Sequence, residues 1–176
     1  ETSALGDNHR AMMTTYSITK IATEAVVRFA CRAFGLPTVI PRLCVPYGDN
    51  GGWPYYHLLA IKHGQPIDLH PNKPSIYSLI HEDDIVATIP ALLESASVPA
   101  NIVNWGGTEA VAIEDWTAYM GTLVGAAPVL RYTAEGTLES VAVDPAKMLS
   151  ITGPLKVRWQ DGIRRIVAAR HPDWLA

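Results

Sequence analysis

Several patterns that would commit a chain to a particular role are missing here. No apolar run has the length a membrane span needs, so no membrane partner is expected. Cysteine is scarce. Cys31 and Cys44 are the only two, they lie far apart, and they form no CxxC. That argues against a disulfide framework and for a reducing, cytoplasmic setting in which both act as small core hydrophobes; a bridge between them is the lesser option. No secretory signal is visible. Lys and Arg total 14 against 17 acids, a net charge of −3, and they are scattered rather than gathered. No basic stripe is offered to a phosphate backbone, so nucleic acid is not expected as a partner. There is no internal repeat and no low-complexity segment. The chain opens on Glu1 rather than Met, which suggests that this is not a natural start.

What is present is the balance of a globular domain. In 176 residues, 48% are hydrophobic and 18% charged, enough to build a core in one domain of ordinary size. Helix formers from Thr15 to Phe34 predict a long helix, stopped by Gly35 and Pro37. Small residues along it (Ala22, Ala25, Cys31, Ala33) permit close approach by another helix or a partner subunit. A buried strand is expected over Thr38–Leu43, weakened by Pro41. "PYGDNGGWP" reads as a loop and "PYYHLLAIKHG" as a short helix. A strand over 75–80 leads into a helix, "HEDDIVATIPALLESA", with acids in its first turn. "ANIVNWGG" and "PVLRY" read as strands. "IEDWTAYMGTLVG" reads as an amphipathic helix with Trp116, Met120 and Leu123 on one stripe. "DPAKMLSITG" and "RWQDGIRRIVAARHP" close the chain as helices. Strands alternating with helices predict an α/β domain with parallel strands.

Tyr16 and Lys20 stand four apart on the first helix, hence on one face. A phenol is a poor acid or base near neutrality, and a cation held close favours its ionised form. A phenol so tuned can protonate a carbonyl oxygen as hydride reaches carbon, or take the proton from an alcohol in reverse. Taken alone, the pair reads as an ordinary helix-surface contact rather than a catalytic one. "HEDD" (81–84) lacks the HExxH metal spacing and reads as a helix start, with Asp84 buried against nearby backbone. His57, His63 and His70 have no ligand spacing and read as surface or pocket-rim residues. No metal site is expected. The five tryptophans, without interleaved basic residues, read as core and pocket lining.

The order of segments carries more than any one of them. Tyr16-xxx-Lys20 is followed by "PRLCVPYG", "LIHEDDI", "VNWGG" and "VDPAKMLSITG", and preceded by "ETSALGDN". This set resembles the C-terminal half of the extended short-chain dehydrogenase/reductase family, the NAD-dependent epimerase/dehydratase group. The resemblance implies an α/β fold made of the C-terminal part of a Rossmann-type parallel sheet and a small mixed α/β substrate-binding domain. Residues 1–52 and parts of 75–110 would belong to the first, and 53–74 with 111–176 mainly to the second. It implies NAD or NADP as cofactor and Tyr16 as the proton-transferring residue. Lys20 would lower the tyrosine pKa and hold the nicotinamide ribose, with the backbone of Leu43 and Cys44 beside the ring. It also implies a small-molecule substrate, and a homodimer through the Tyr16-bearing helix. Asp144 with Lys147 resembles an element that starts a small helix.

Two departures bear on the substrate. Family members acting on nucleotide sugars commonly carry Asn where this chain has Val45, three residues after Arg42, and a phosphate-binding Arg where it has Tyr77. A tyrosine does not replace an arginine fork on phosphate. With Trp53, Tyr55, Tyr56 and Tyr77 as expected pocket walls and Val45, Trp53 and Tyr77 as substrate contacts, the reading is an NAD(P)-dependent oxidoreductase acting on a small carbonyl or alcohol. A nucleotide-sugar epimerase or dehydratase is the alternative. Others are a non-catalytic cofactor-binding relative and an unrelated α/β domain. No GxGxxG turn occurs to seat a pyrophosphate on a helix N-terminus. The chain is therefore expected to be the second half of a longer enzyme, with the N-terminal dinucleotide-binding half absent and little activity of its own.

Overall fold

A computed structural model describes residues 14–175. The "ETSALGDN" segment lies outside the described residues. The first helix, α1 (Thr14–Phe34), ends where Gly35 takes φ +63°, a backbone geometry that favours glycine. The chain then forms β1 (Val39–Leu43). Arg42 ties the two elements together with a fork to Glu24, Nε to Oε2 at 3.0 Å and Nη2 to Oε1 at 2.8 Å. That contact holds the Glu24 carboxyl below the ordinary carboxylate range.

The expected loop after β1 is a hairpin instead: β2 (Val45–Gly48) turns back on β3 (Gly51–Gly52). Gly51 and Gly52 sit at φ +121° and +102°, and a Cβ on Gly52 would lie 2.6 Å from the carbonyl oxygen of Pro46. Only glycine permits this return, so a composition that resembles a loop closes as a ladder. Then follow α2 (Trp53–Lys62), β4 (Pro66–Leu69), β5 (Ile76–Tyr77), β6 (Leu79–His81) and α3 (Glu82–Glu94). Next come β7 (Asn101–Trp105), β8 (Val111–Ala112), α4 (Ile113–Val124), β9 (Val129–Tyr132), α5 (Ala146–Thr152) and α6 (Trp159–Arg170).

The strand expected over 75–80 is two strands, broken at Ser78, whose hydroxyl accepts from the Val143 amide at 3.1 Å. The halves serve different ladders. β5 pairs antiparallel with β8, and β6 pairs parallel with β2. β1 pairs parallel with β7, and β4 with β9. Pro41 is tolerated because its nitrogen faces away from β7. The Thr38 carbonyl accepts from Asn101 and the Cys44 amide donates to Trp105, so the even-numbered residues of β1 face that partner.

Two apolar clusters hold these layers. The larger joins α2, α4, α6 and β4 around Leu58, Ile61, Leu69, Trp116, Met120 and Ile163. The stripe on α4 is fully used, with Trp116 and Met120 at 0% exposure and Leu123 at 6%. Each such side chain contributes about 1.5–3 kcal/mol on burial. The smaller gathers Ile80, Leu92, Val103, Trp105 and Met148 between β6, α3, β7 and α5. Asp84 is buried at the start of α3, where its two carboxylate oxygens accept from the amides of Lys156 (2.8 Å) and Val157 (3.0 Å). The Asp144 carboxylate accepts from the Ala146 amide, starting α5. No helix among the described residues is long and apolar enough to cross a membrane.

Candidate active site

A cleft of about 600 Å³ opens beside the first turn of α1. Tyr16 and Ser17 form one lip. Trp53, at the start of α2, and Tyr77, in β5, form the floor, their rings edge to face at 4.9 Å. The end of β4 supplies Asp68, Leu69 and His70, and the segment 136–138 forms the far wall. The alternation of β4 turns Ile67 and Leu69 inward and leaves Asp68 exposed.

Tyr16 is 58% exposed at this lip. Lys20 follows one turn later, its Nζ 5.4 Å from the centre of the Tyr16 ring. Lys20 makes no hydrogen bond or ion pair among the described residues. Tyr77 is a different kind of phenol. It is 3% exposed, and its hydroxyl donates between the carbonyls of Leu138 (3.1 Å) and Glu139 (2.9 Å). Burial pushes its pKa up to about 12, so it stays a neutral donor.

Among its described residues the cleft is poor in positive charge. None of the described residues lining it is Lys or Arg. Asp68 in the lining pairs with Arg131 of β9 in a fork at 2.5 and 2.6 Å. That fork holds the Asp68 carboxyl below its usual range.

The other expected residues fall elsewhere. Leu43 is 46% exposed at the carboxyl end of β1, and Cys44 is half-buried beside it. Val45 packs against the larger apolar cluster. None of these three lines the cleft. Nor do two of the expected walls. Tyr56 points outward at 67% exposure, and Tyr55 bonds its hydroxyl to His171 Nε2 at 3.0 Å. Both cysteines are free, and burial pushes the Cys44 thiol up.

His57 is a further correction. It is buried rather than at the surface or rim, because Trp116 Nε1 donates to its Nδ1 at 2.9 Å in the core behind Trp53. His63 is exposed, and His70 does line the cleft. Trp105 and Trp116 are buried, Trp53 lines the cleft, and Trp159 and Trp174 lie half-buried against the core. Asp68, Arg131 and the wall at 136–138 were not singled out from sequence. Gly136 is a turn residue by type, and nothing local says that its segment faces a cleft.

With this geometry in hand, the affiliation is direct. The sequence profile of the NAD dependent epimerase/dehydratase family matches residues 1–106, and the chain belongs to that family. No curated protein matches it. Among solved structures it is similar to UDP-glucose 4-epimerase of Thermus thermophilus in complex with NAD. Identity there is 22%, the TM-score 0.72, and the match covers 88% of this chain and 53% of that one. UDP-glucuronic acid 4-epimerase from Bacillus cereus, in complex with UDP-glucuronic acid and NAD, gives 19% and 0.75 over 88% of this chain and 51% of that one. dTDP-glucose 4,6-dehydratase from Bacillus anthracis, in complex with NAD, gives 18% and 0.75 over 92% and 54%. These likenesses establish the fold: the α/β architecture matches the C-terminal portion of Rossmann-type epimerase/dehydratase structures. The chain spans about half the length of these structures.

Proposed function

We propose that this chain carries the acid–base part of an NAD-dependent oxidoreductase site acting on a small, uncharged carbonyl or alcohol. The observation that carries this reading is Tyr16 at the lip of the cleft with Lys20 one turn behind it. The Tyr16 hydroxyl donates its proton to a substrate carbonyl oxygen, or as the phenolate takes one from an alcohol in reverse, while Trp53 and Tyr77 hold the apolar body of the substrate. The cofactor, when bound, supplies or accepts the hydride. The residues present fit it. Lys20 sets an ammonium beside Tyr16 that would donate to a ribose hydroxyl, and Leu43 leaves a large apolar side chain open at the carboxyl end of a parallel strand, where α/β sheets place ligands. Residues 1–52 with parts of 75–110 would form the cofactor side and the remainder the substrate side. The outward face of α1, with Val26 and Phe29 at 65% and 70% exposure, is the candidate contact for a second copy. Two free cysteines suit a reducing cytoplasm.

A nucleotide-sugar epimerase or dehydratase is the second reading, favoured by the substrates of the similar structures. A diphosphate needs cations, and the described cleft lining offers none. The test is Tyr16→Phe in the full-length protein, with NAD and a panel of small ketones, secondary alcohols, UDP-glucose and dTDP-glucose. Turnover should fall by about 10²–10⁴-fold with NAD affinity nearly unchanged. Unaltered turnover rejects Tyr16 as the proton donor. Turnover confined to the nucleotide sugars selects the second reading.

A further inference from the structure

The far wall of the cleft has no regular secondary structure, yet it is held at several points. Thr137 donates to the Thr133 carbonyl at 2.5 Å. Ser140 accepts from the Ile76 amide at 2.8 Å and donates to the Pro74 carbonyl at 3.0 Å, and the Val141 amide donates to the Ile76 carbonyl at 2.9 Å. Between these anchors the backbone of Leu138 and Glu139 is held by one side chain, the Tyr77 hydroxyl. Tyr77 thus serves the cleft twice, its ring as floor against Trp53 and its hydroxyl as the clasp of the wall.

That double use has a chemical consequence. The phenolic proton is committed to two carbonyls, so Tyr77 offers a ligand only its apolar ring. The carbonyl oxygens of Leu138 and Glu139 converge at that clasp and turn the negative ends of two peptide dipoles toward it. A phosphate at this floor therefore meets no cation from Tyr77 and no spare phenolic proton. We infer that Tyr77 is a specificity-determining residue. By clasping the wall at 138–139 it shapes the cleft for an uncharged carbonyl compound with an apolar body and disfavours a nucleoside diphosphate. This rests on the oxidoreductase reading for the identity of the site, but it makes a claim about binding that needs no turnover.

The test uses the full-length protein with NAD, titrated with acetophenone and separately with UDP-glucose. Binding is followed by tryptophan fluorescence, since Trp53 lines the cleft. The wild type should bind acetophenone at least about tenfold more tightly than UDP-glucose. Tyr77→Phe keeps the ring and removes the clasp. It should raise amide hydrogen exchange across 136–140 by about tenfold, weaken acetophenone by about five- to tenfold, and narrow the ratio between the two probes. Leu138→Ala keeps the carbonyl that Tyr77 holds but removes the apolar side chain that the clasp positions in the cleft lining, and should narrow the same ratio. It decides the matter if Tyr77→Phe proves too unstable to titrate. A wild type that prefers UDP-glucose or binds neither probe overturns the inference, as does a ratio unmoved in the variants. Failure of the catalytic reading registers separately, as Tyr16→Phe turnover equal to wild type with the binding ratio intact.

Discussion

His57 makes folding stability depend on pH in a way that can be worked through. The imidazole is 7% exposed, and Trp116 donates to its Nδ1, which therefore carries a lone pair. Burial lowers its pKa from 6.5 to about 4. Protonation would also set one N–H against another. Below 6.5 the unfolded chain takes up this proton while the native state does not, until about pH 4. Stability is therefore fully present above the unfolded value and is lost as pH falls through that window. Relative to pH 7.5, the loss from this group is about 2 kcal/mol at pH 5 and about 3 kcal/mol at pH 4. For a chain of this size the first figure lowers Tm by about 4–8 °C. His81, also held low by burial, acts with the same sign, and the carboxylates of Glu24, Asp68 and Asp83, held low by their arginine partners, add theirs at lower pH. A variant isolates the term. The side-chain carbonyl in His57→Gln can accept from the Trp116 indole and does not titrate. Urea denaturation of both proteins at pH 7.5 and pH 5 should show the wild type losing about 2 kcal/mol more than the variant. Parallel losses would refute the buried neutral imidazole.

Two further outcomes follow from contacts made across the fold. Asp84→Ala leaves the amides of Lys156 and Val157 without acceptors and should cost about 2–4 kcal/mol by urea denaturation, with Asp84→Asn, which keeps one acceptor, losing about half of that. In Gly107→Ala the new Cβ would overlap the backbone carbonyl of Leu79, which cannot yield as a side-chain tip would. The expected loss is about 3 kcal/mol or more in the same assay, and a variant as stable as wild type would show that β6 does not run against that glycine.

What the sequence determined by itself is what short-range periodicity and chain stereochemistry settle. The alternation of helices and strands is local. So are the stripe of Trp116, Met120 and Leu123, the helix stops at Gly35 and Gly125, and the placing of Tyr16 and Lys20 on one face. Each follows from 3.6 residues per turn or from glycine's access to positive φ. The tertiary structure alone decided which groups meet. It broke 75–80 at Ser78, because its two halves face different partner strands. It buried His57 by bringing Trp116 to it, and gave Asp84 its acceptor role toward amides more than seventy residues onward. It made Tyr77 the clasp of a wall sixty residues away and turned Tyr55 and Tyr56 out of the cleft. A polar group's partner is chosen by proximity in the folded chain, and no local pattern of residue types encodes that distance.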